Sequence, residues 1–261
     1  MQNSEISLPE ERRRFLLDVL KREGKIVAAE ASRKLDVSED TVRRDLNELA
    51  AAGQLRRVHG GALPLLPLTP AAAPFASRRR EDDGSRRPLA AQLARLIEPG
   101  STVLLDSGTT NLAAAEAIAP DLCATIVTPS LPAAMVLMAH RHIDLIVLGG
   151  VVDKAEQTTT GIATWESIAG LSVDLCLLGV CGLDAATGLM EMSPDGARLK
   201  ARMIQSANRV VTAVPMRKLG TRAPYRIGPV DLLSSLVTES QAPSALIEPY
   251  REAGVEIIYA G

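Results

Sequence analysis

Aromatic residues are scarce in this chain, with two Phe, three Tyr and one Trp among 261 residues. That scarcity argues against an aromatic platform on which single-stranded nucleic acid would stack. Cysteine is rare too. Cys123, Cys176 and Cys181 stand in apolar, strand-like stretches without C-x-x-C spacing, so buried free thiols in a reducing compartment are expected in place of metal ligands. No apolar run approaches the length of a membrane span, and the charged amino terminus has no signal-peptide core. A cytoplasmic protein is therefore expected. An excess of one charge is also missing, since the formal net charge is -2. Residues 1–63 hold 12 Lys+Arg against 11 Asp+Glu, and the remainder holds 17 against 20. No broad basic footprint exists, so any affinity for nucleic acid must come from a few placed side chains and from paired copies.

What is present begins with Val37-Ser38-Glu39-Asp40-Thr41-Val42-Arg43-Arg44-Asp45-Leu46. Ser38 is a good N-cap, Glu39 and Asp40 suit the positive end of a helix, and Gly53 is a ready stop. Val42, Leu46 and Leu49 fall on one face at helical spacing; Asp40, Arg44 and Asn47 point the opposite way, with Thr41 and Arg43 on the flanks. A face carrying Arg, Asn and Thr supplies the groups that bond base edges and phosphates. Gly53-Gln54-Leu55-Arg56-Arg57-Val58-His59-Gly60-Gly61-Ala62 follows and reads as a β-hairpin wing. Together these segments predict a winged helix-turn-helix that reads double-stranded DNA, with Ser38, Thr41, Arg43, Arg44, Asn47, Arg56, Arg57 and His59 as contacts. A helix over 9–23, closed by Gly24, and a short helix over 27–35 complete this head.

The 261 residues suggest two domains,. Four prolines recur every three or four residues between Pro64 and Pro74. They cannot join a helix or a central strand, so residues 64–74 form an extended linker between a head over 1–63 and a domain over 75–261. The basic stretch Arg78-Arg79-Arg80 beyond it reads as a solvated face partnered by Glu81, Asp82 and Asp83. From residue 88 helices alternate with strands, including Thr102–Asp106, Ala124–Thr128, Ile143–Leu148, Asp174–Val180, Arg209–Val214, Val230–Val237 and Val255–Tyr259. Strands that are apolar throughout, such as Leu175-Cys176-Leu177-Leu178, are buried on both faces, which predicts an α/β domain with a mainly parallel sheet.

In open α/β sheets ligands bind beyond the carboxyl ends of strands. Those ends carry Asp106-Ser107-Gly108-Thr109-Thr110-Asn111, Thr128-Pro129-Ser130, Gly149-Gly150 and Gly179-Val180-Cys181-Gly182. Amides at a helix start beside hydroxyls make a phosphate cradle. Convergence of these ends on one edge predicts a pocket for a phosphorylated sugar or polyol.

Both halves resemble a known family, the DeoR-type repressors of bacterial sugar metabolism. The head matches V-S-x-x-T-[VI]-R-R-D-L followed by R-R-x-H-G-G-A. Asp36 stands where the family has Gly, and Ala31 where it has Leu; Asp tolerates the left-handed turn, so the fold is expected to persist. Farther on, the family's D-x-G-T-T, T-N-S-L, L-x-G-G, G-x-x-G-[IL]-D and late lysines fall on Asp106–Thr110, Thr128–Leu131, Leu148–Gly150, Gly179–Asp184, Lys200 and Lys218, with Gly161 between. The resemblance implies a sensor domain like ribose-5-phosphate isomerase, in which a phosphorylated metabolite weakens DNA binding. It places Asp106, Ser107, Gly108, Thr109, Thr110, Thr128, Ser130, Gly149, Gly150, Gly161, Gly182, Asp184, Lys200 and Lys218 at the effector, and Arg217 is added to them on its own chemistry. Three departures stand out: Pro129 replaces Asn, Gly196 replaces an acid four residues before Lys200, and Pro215-Met216-Arg217 replaces Asp-Ser-Ser. Losing an acid and two hydroxyls removes partners for sugar hydroxyls, while Arg217 adds a clamp for phosphate or carboxylate.

The resulting expectation is a repressor, not an enzyme, that partners operator DNA and a phosphorylated effector as a homodimer or homotetramer, without membrane, cofactor or metal. The alternatives are a sugar-phosphate isomerase-like enzyme with an accessory head, for which Asp184 and Lys200 would be the acid/base candidates, and a regulator that no longer senses ligand. His140 and His142 read as solvated residues at a helix end.

Overall fold

The structure, a computed structural model, describes residues 8–23, 26–52, 54–58, 60–64, 74–81 and 84–261. Contacts divide the chain into two compact units, Met1–Pro67 and Leu68–Gly261. Gly24, Gly53, His59, Asp82, Asp83 and linker residues 65–73 lie outside the described residues.

The first unit contains α1 (Pro9–Glu23), β1 (Ile26–Val27), α2 (Ala28–Leu35), α3 (Glu39–Ala51), β2 (Leu55–Val58) and β3 (Gly61–Pro64). Apolar residues three and four apart bring Leu16, Val19, Leu20, Val42, Leu46 and Leu49 into one core with Ile26, Leu35 and Leu55,. Each fully buried Leu contributes about 1.5–3 kcal/mol. β2 and β3 form the expected antiparallel wing, and β1 adds a third strand beside β3. Asp36 ends α2 in the left-handed region at φ 51°, ψ 45°, where its amide donates to the Ser32 carbonyl. The turn the family makes with Gly is thus made here by Asp. Asp45, on the inner side of α3, is buried and accepts from Arg12 Nε at 2.9 Å, fastening α3 to α1.

The second unit opens with α4 (Phe75–Arg80) and α5 (Arg86–Arg95), then β4 (Thr102–Leu105), α6 (Thr109–Glu116), β5 (Ala124–Thr128), α7 (Leu131–Leu137) and β6 (Ile143–Val147). A hairpin of β7 (Val151–Asp153) and β8 (Thr158–Thr160) precedes α8 (Ile162–Ala169) and β9 (Val173–Leu178). The chain continues through β10 (Gly182–Asp184), β11 (Gly188–Glu191), α9 (Pro194–Gln205), β12 (Ala207–Ala213) and β13 (Tyr225–Gly228). It finishes with β14 (Ser235–Glu239), α10 (Ser244–Glu252) and β15 (Glu256–Ala260). Seven strands form one parallel sheet in the order β15-β14-β12-β9-β4-β5-β6. Helices on both faces bury its central strands, while the edge strand β6 leaves Ile146 and Val147 exposed. One face packs Val103, Leu105, Ile126 and Leu177 with Phe75, Leu89 and Leu93; the other packs Leu104, Cys176, Leu178 and Val210 with Leu199, Met203 and Tyr250.

Several expectations are corrected. Cys123 is exposed, while Cys176 and Cys181 are buried; Cys123 lies in the turn before β5 and not on a strand. The strand expected over Val230–Val237 is split into a 3-10 turn, Val230–Leu232, and β14. A second, antiparallel sheet of β10, β11 and β13 had no counterpart in the apolar pattern, because strands of three or four residues are too short to show a period.

Chain order in the main sheet reverses between β4 and β9. From β4 the chain moves outward through β5 and β6; from β9 it moves the other way through β12, β14 and β15. The two loops leaving β4 and β9 therefore part, and a crevice opens between their carboxyl ends.

Candidate nucleic-acid interface and anion cleft

Ser38 caps α3: its hydroxyl accepts from the Thr41 amide at 3.1 Å and lies 2.9 Å from the Thr41 hydroxyl. Beyond the cap, Asp40, Arg43, Arg44, Asn47 and Glu48 are exposed. Arg43 is turned back along its own helix toward Glu39 and Asp40, at 3.2 and 3.5 Å. Arg44 has no hydrogen bond or ion pair among the described residues. Asn47 accepts from Arg57 Nε at 2.9 Å, and Arg57 also donates to the Gly61 carbonyl. Arg57 thereby ties the wing to α3, and two of the predicted contact residues brace each other. Arg56 lies on β2 opposite Leu63, and His59 lies outside the described residues.

In the second unit a cleft opens at the strand-order reversal. Its walls are Ser107–Asn111 from the β4–α6 turn, Leu178–Cys181 after β9, and Glu191, Ser193, Gly196 and Lys200 around the start of α9. Arg78, Glu156 and Lys218 close it. Behind this surface, Asp106 accepts from the Ser107 amide at 2.7 Å, the Gly179 amide at 2.9 Å and Lys200 Nζ at 2.9 Å. A Cβ on Gly179 would lie 3.1 Å from Asp106 Oδ2 and 2.5 Å from the Ser107 carbonyl oxygen, so the approach requires glycine,. Asn111 pins α6 by donating to the Asp106 and Leu177 carbonyls at 3.2 and 3.0 Å.

Lys200 is buried and fully committed. It donates to the Gly179 carbonyl at 2.7 Å and pairs with Glu191 Oε2 at 3.0 Å, besides Asp106. Burial alone would lower its pKa, but Asp106 and Glu191 more than offset this and raise it. Burial likewise works to raise Glu191, yet Lys200, the Cys181 thiol and the Met192 amide hold it below the ordinary carboxyl range. The Cys181 thiol, 3.1 Å from Glu191 Oε1, is pushed up to about 12 by burial and by that carboxylate. The acid that seemed lost at Gly196 is therefore supplied by Glu191. A Cβ at Gly196 would stand 3.0 Å from Glu191 Cγ, so the missing side chain leaves room for the carboxylate.

Lys218 is different. It ends the 3-10 turn Met216–Lys218, lines the cleft and makes no side-chain hydrogen bond or ion pair among the described residues. Burial lowers its pKa to about 8, aided by the positive charges of Arg78, Arg217 and Lys200 against an opposing effect of Cys181. A half-buried ammonium faced by like charges favours an anion. Opposite it, Gly108 at φ 127° begins α6 without a side-chain cap, and the first amides of a helix have no acceptor within it.

Thus Ser107, Gly108, Thr109, Thr110, Lys200 and Lys218 converge, with Asp106 as their support. Other predicted effector residues lie elsewhere. Thr128 donates to the Leu105 carbonyl at 2.6 Å and accepts from the Ser130 amide, and Ser130 caps α7. Gly149 accepts from Thr164 at 2.6 Å, and Gly150 takes φ 140° beside it. Gly161 precedes α8 and lines a shallow groove with Ile162, Trp165 and Arg198. Gly182 is on β10, and Asp184 is held by Thr187 and Arg222 at 2.6 and 3.2 Å. Arg217 is exposed and reaches Ser85 at 3.4 Å. Sequence reasoning missed Glu191 and Glu156, and read Arg78 as solvated although it is buried over the Phe75 ring and paired with Glu156. The family resemblance offers a signal for Arg78, a Phe-x-x-Arg element that opens a helix there and is matched by Phe75 and Arg78.

A winged helix-turn-helix and a separate α/β unit with a cleft at its strand-order reversal define a DNA-binding regulator. Comparison with known proteins agrees. Residues 12–65 match the DeoR-like helix-turn-helix domain, and residues 82–240 match the DeoR C-terminal sensor domain. The chain belongs to the DeoR family of transcriptional regulators. It is 28% identical over 247 residues to the glycerol-3-phosphate regulon repressor of Escherichia coli K12, covering 95% of this chain and 97% of that protein. It is 29% identical over 249 residues to the transcriptional repressor GlcR of Bacillus subtilis, covering 95% of each. Among solved structures it is similar to ribose-5-phosphate isomerase A of Methanocaldococcus jannaschii, at 18% identity and a TM-score of 0.37 over 51% of this chain and 52% of that one. Its family is one of DNA-binding repressors and not of enzymes, and Lys200, held by two carboxylates, is no free acid or base. Among the described residues no helix is long and apolar enough to cross a membrane.

Proposed function

We propose that this chain represses a sugar or polyol catabolic operon and is released from its operator by a phosphorylated sugar or polyol held in the cleft. The observation that carries this reading is Lys218, which has no anionic partner among the described residues and lines one cleft with Ser107, Thr109, Thr110 and the uncapped start of α6. A phosphate there would meet free amides, hydroxyls and an ammonium at once. The glycerol-3-phosphate repressor among its relatives makes glycerol 3-phosphate a first compound to try. Arg44 and Thr41 would read base edges from α3, with Arg56, Arg57 and His59 toward phosphates. Two heads would act together, because one head of net charge +1 over residues 1–63 gains specificity by pairing on half-sites about one DNA turn apart,. The functional division falls in the proline-rich segment 64–74, past Pro64, which closes β3 opposite Leu55 instead of opening the linker, and the α/β unit would carry the oligomer contacts.

The test is a thermal-shift screen of the full chain against sugar phosphates, followed by operator binding with each hit. Stabilisation by a sugar phosphate and release of DNA are expected. Stabilisation by the dephosphorylated sugar alone would contradict the assigned chemistry.

A further inference from the structure

Arg78 stands at a junction that the repressor reading leaves unused. It is the fourth residue of α4, the first described element after linker residues 65–73, and it also lines the cleft. Contacts from both ends of the Phe75–Arg78 turn hold α4 to the tip of the β7–β8 hairpin. The Phe75 amide donates to the Ala155 carbonyl at 3.1 Å, and the Arg78 guanidinium pairs with Glu156. The tip is itself stiff: Asp153 Oδ1 accepts from the Ala155 and Glu156 amides at 2.8 and 3.1 Å. The Phe75 ring is anchored in the core and is not free to follow Arg78.

We propose that Arg78 is a further ligand-binding residue, which exchanges its Glu156 partner for the anion in the cleft and thereby loosens α4 from the hairpin. This rests on the cleft being an anion site. Three features favour the exchange. Arg78 and Lys218 line the same cleft, so an anion held there meets both positive charges. The pair is unequal, with the Arg78 side chain 10% exposed and Glu156 38% exposed. Glu156 is readily solvated when released, whereas Arg78 keeps a partner throughout. A phosphate also accepts two parallel bonds from a guanidinium, which a planar fork matches well. The consequence follows from chain order. An anion that takes Arg78 removes the Arg78–Glu156 contact between α4 and the hairpin, at the point where the chain comes from the DNA-reading head.

The experiment measures inorganic phosphate binding to the full chain by calorimetry in wild type, Arg78→Gln, Glu156→Gln, the double variant and Lys218→Ala. Near-ultraviolet circular dichroism reports folding. Glu156→Gln, a change at a partly exposed side chain, should tighten phosphate binding several-fold because Arg78 no longer has to leave a carboxylate. Arg78→Gln should weaken it at least tenfold, and Glu156→Gln should then add nothing in its presence. Unchanged affinity in Glu156→Gln overturns the exchange even if Arg78→Gln fails to fold. Lys218→Ala abolishing binding while Arg78→Gln does not would overturn the role of Arg78 and leave the site standing. Binding that survives Lys218→Ala, or is absent from wild type, would instead overturn the anion-site reading itself.

Discussion

On α3, Arg44 stands in solvent without a partner among the described residues. In the sensor unit, Lys200 commits its donors to Asp106, Glu191 and the Gly179 carbonyl. Both are cations of a DNA-binding regulator, yet the first is positioned to meet something outside the chain and the second holds the chain together. Lys218 lies between these extremes, inside a cleft like Lys200 but, like Arg44, unpaired among the described residues. Pairing, more than exposure, separates a scaffold cation from one that waits for a ligand. Counting basic residues in a motif would miss that distinction.

The largest effect should come from breaking the scaffold. Lys200→Met leaves Asp106 and Glu191 buried without their countercharge, which should cost about 3–5 kcal/mol in urea unfolding of the sensor unit. A loss below about 1 kcal/mol would mean that the two carboxylates are compensated elsewhere.

Next comes the exposed cation. Arg44→Ala should weaken specific operator binding by about 1–3 kcal/mol, measured by fluorescence anisotropy at fixed salt, without changing unfolding of either unit. Equal weakening on random DNA would reassign Arg44 to phosphate contacts.

The intermediate cation should reveal itself through pH. Lys218 titrates near 8 in the free cleft, below its ordinary value of 10.5, so it loses its proton earlier in the folded chain than in the unfolded one. Its contribution to stability therefore rises with pH between those two values. A bound phosphate favours the ammonium and raises the pKa again. Ligand affinity should accordingly be greatest below about 8 and fall above it, with proton uptake on binding visible as a buffer-dependent heat,. Affinity that stays flat from pH 7 to 9.5 would remove Lys218 from the site.

The smallest effect belongs to the head's own scaffold. Ser38→Ala removes the α3 cap and should cost about 1 kcal/mol of head stability in thermal unfolding. No change would mean that the Thr41 amide finds water instead.

The same contrast explains what the sequence made legible. The head is local: cap, recognition face, stop and wing follow one another within 25 residues, and the helices and hairpin appear where the spacing predicts them. The seven-stranded sheet is legible from its apolar runs, and so is the β4–α6 turn, whose small hydroxyl residues open a helix. The cleft's other wall is not. Glu191 meets Lys200 only because β11 doubles back across β10, and Arg78 meets Glu156 across 78 residues. Gly150 resembled a ligand turn but sits in close packing, where a Cβ would lie 2.1 Å from the Thr164 hydroxyl and 2.6 Å from the Thr160 carbonyl oxygen. Short polar turns carry no mark of whether they face a ligand or a neighbouring strand. Long-range convergence decides it.

The measurement that bears most directly on the sensing account is release of operator DNA by the effector found in the screen, compared in wild type and Lys218→Ala. The account predicts equal operator affinity in the two proteins without effector, release in wild type, and no release in the variant at the concentration that frees wild type. Normal release of Lys218→Ala would place the sensing site elsewhere, and loss of its DNA binding in the absence of effector would show that Lys218 supports the fold instead.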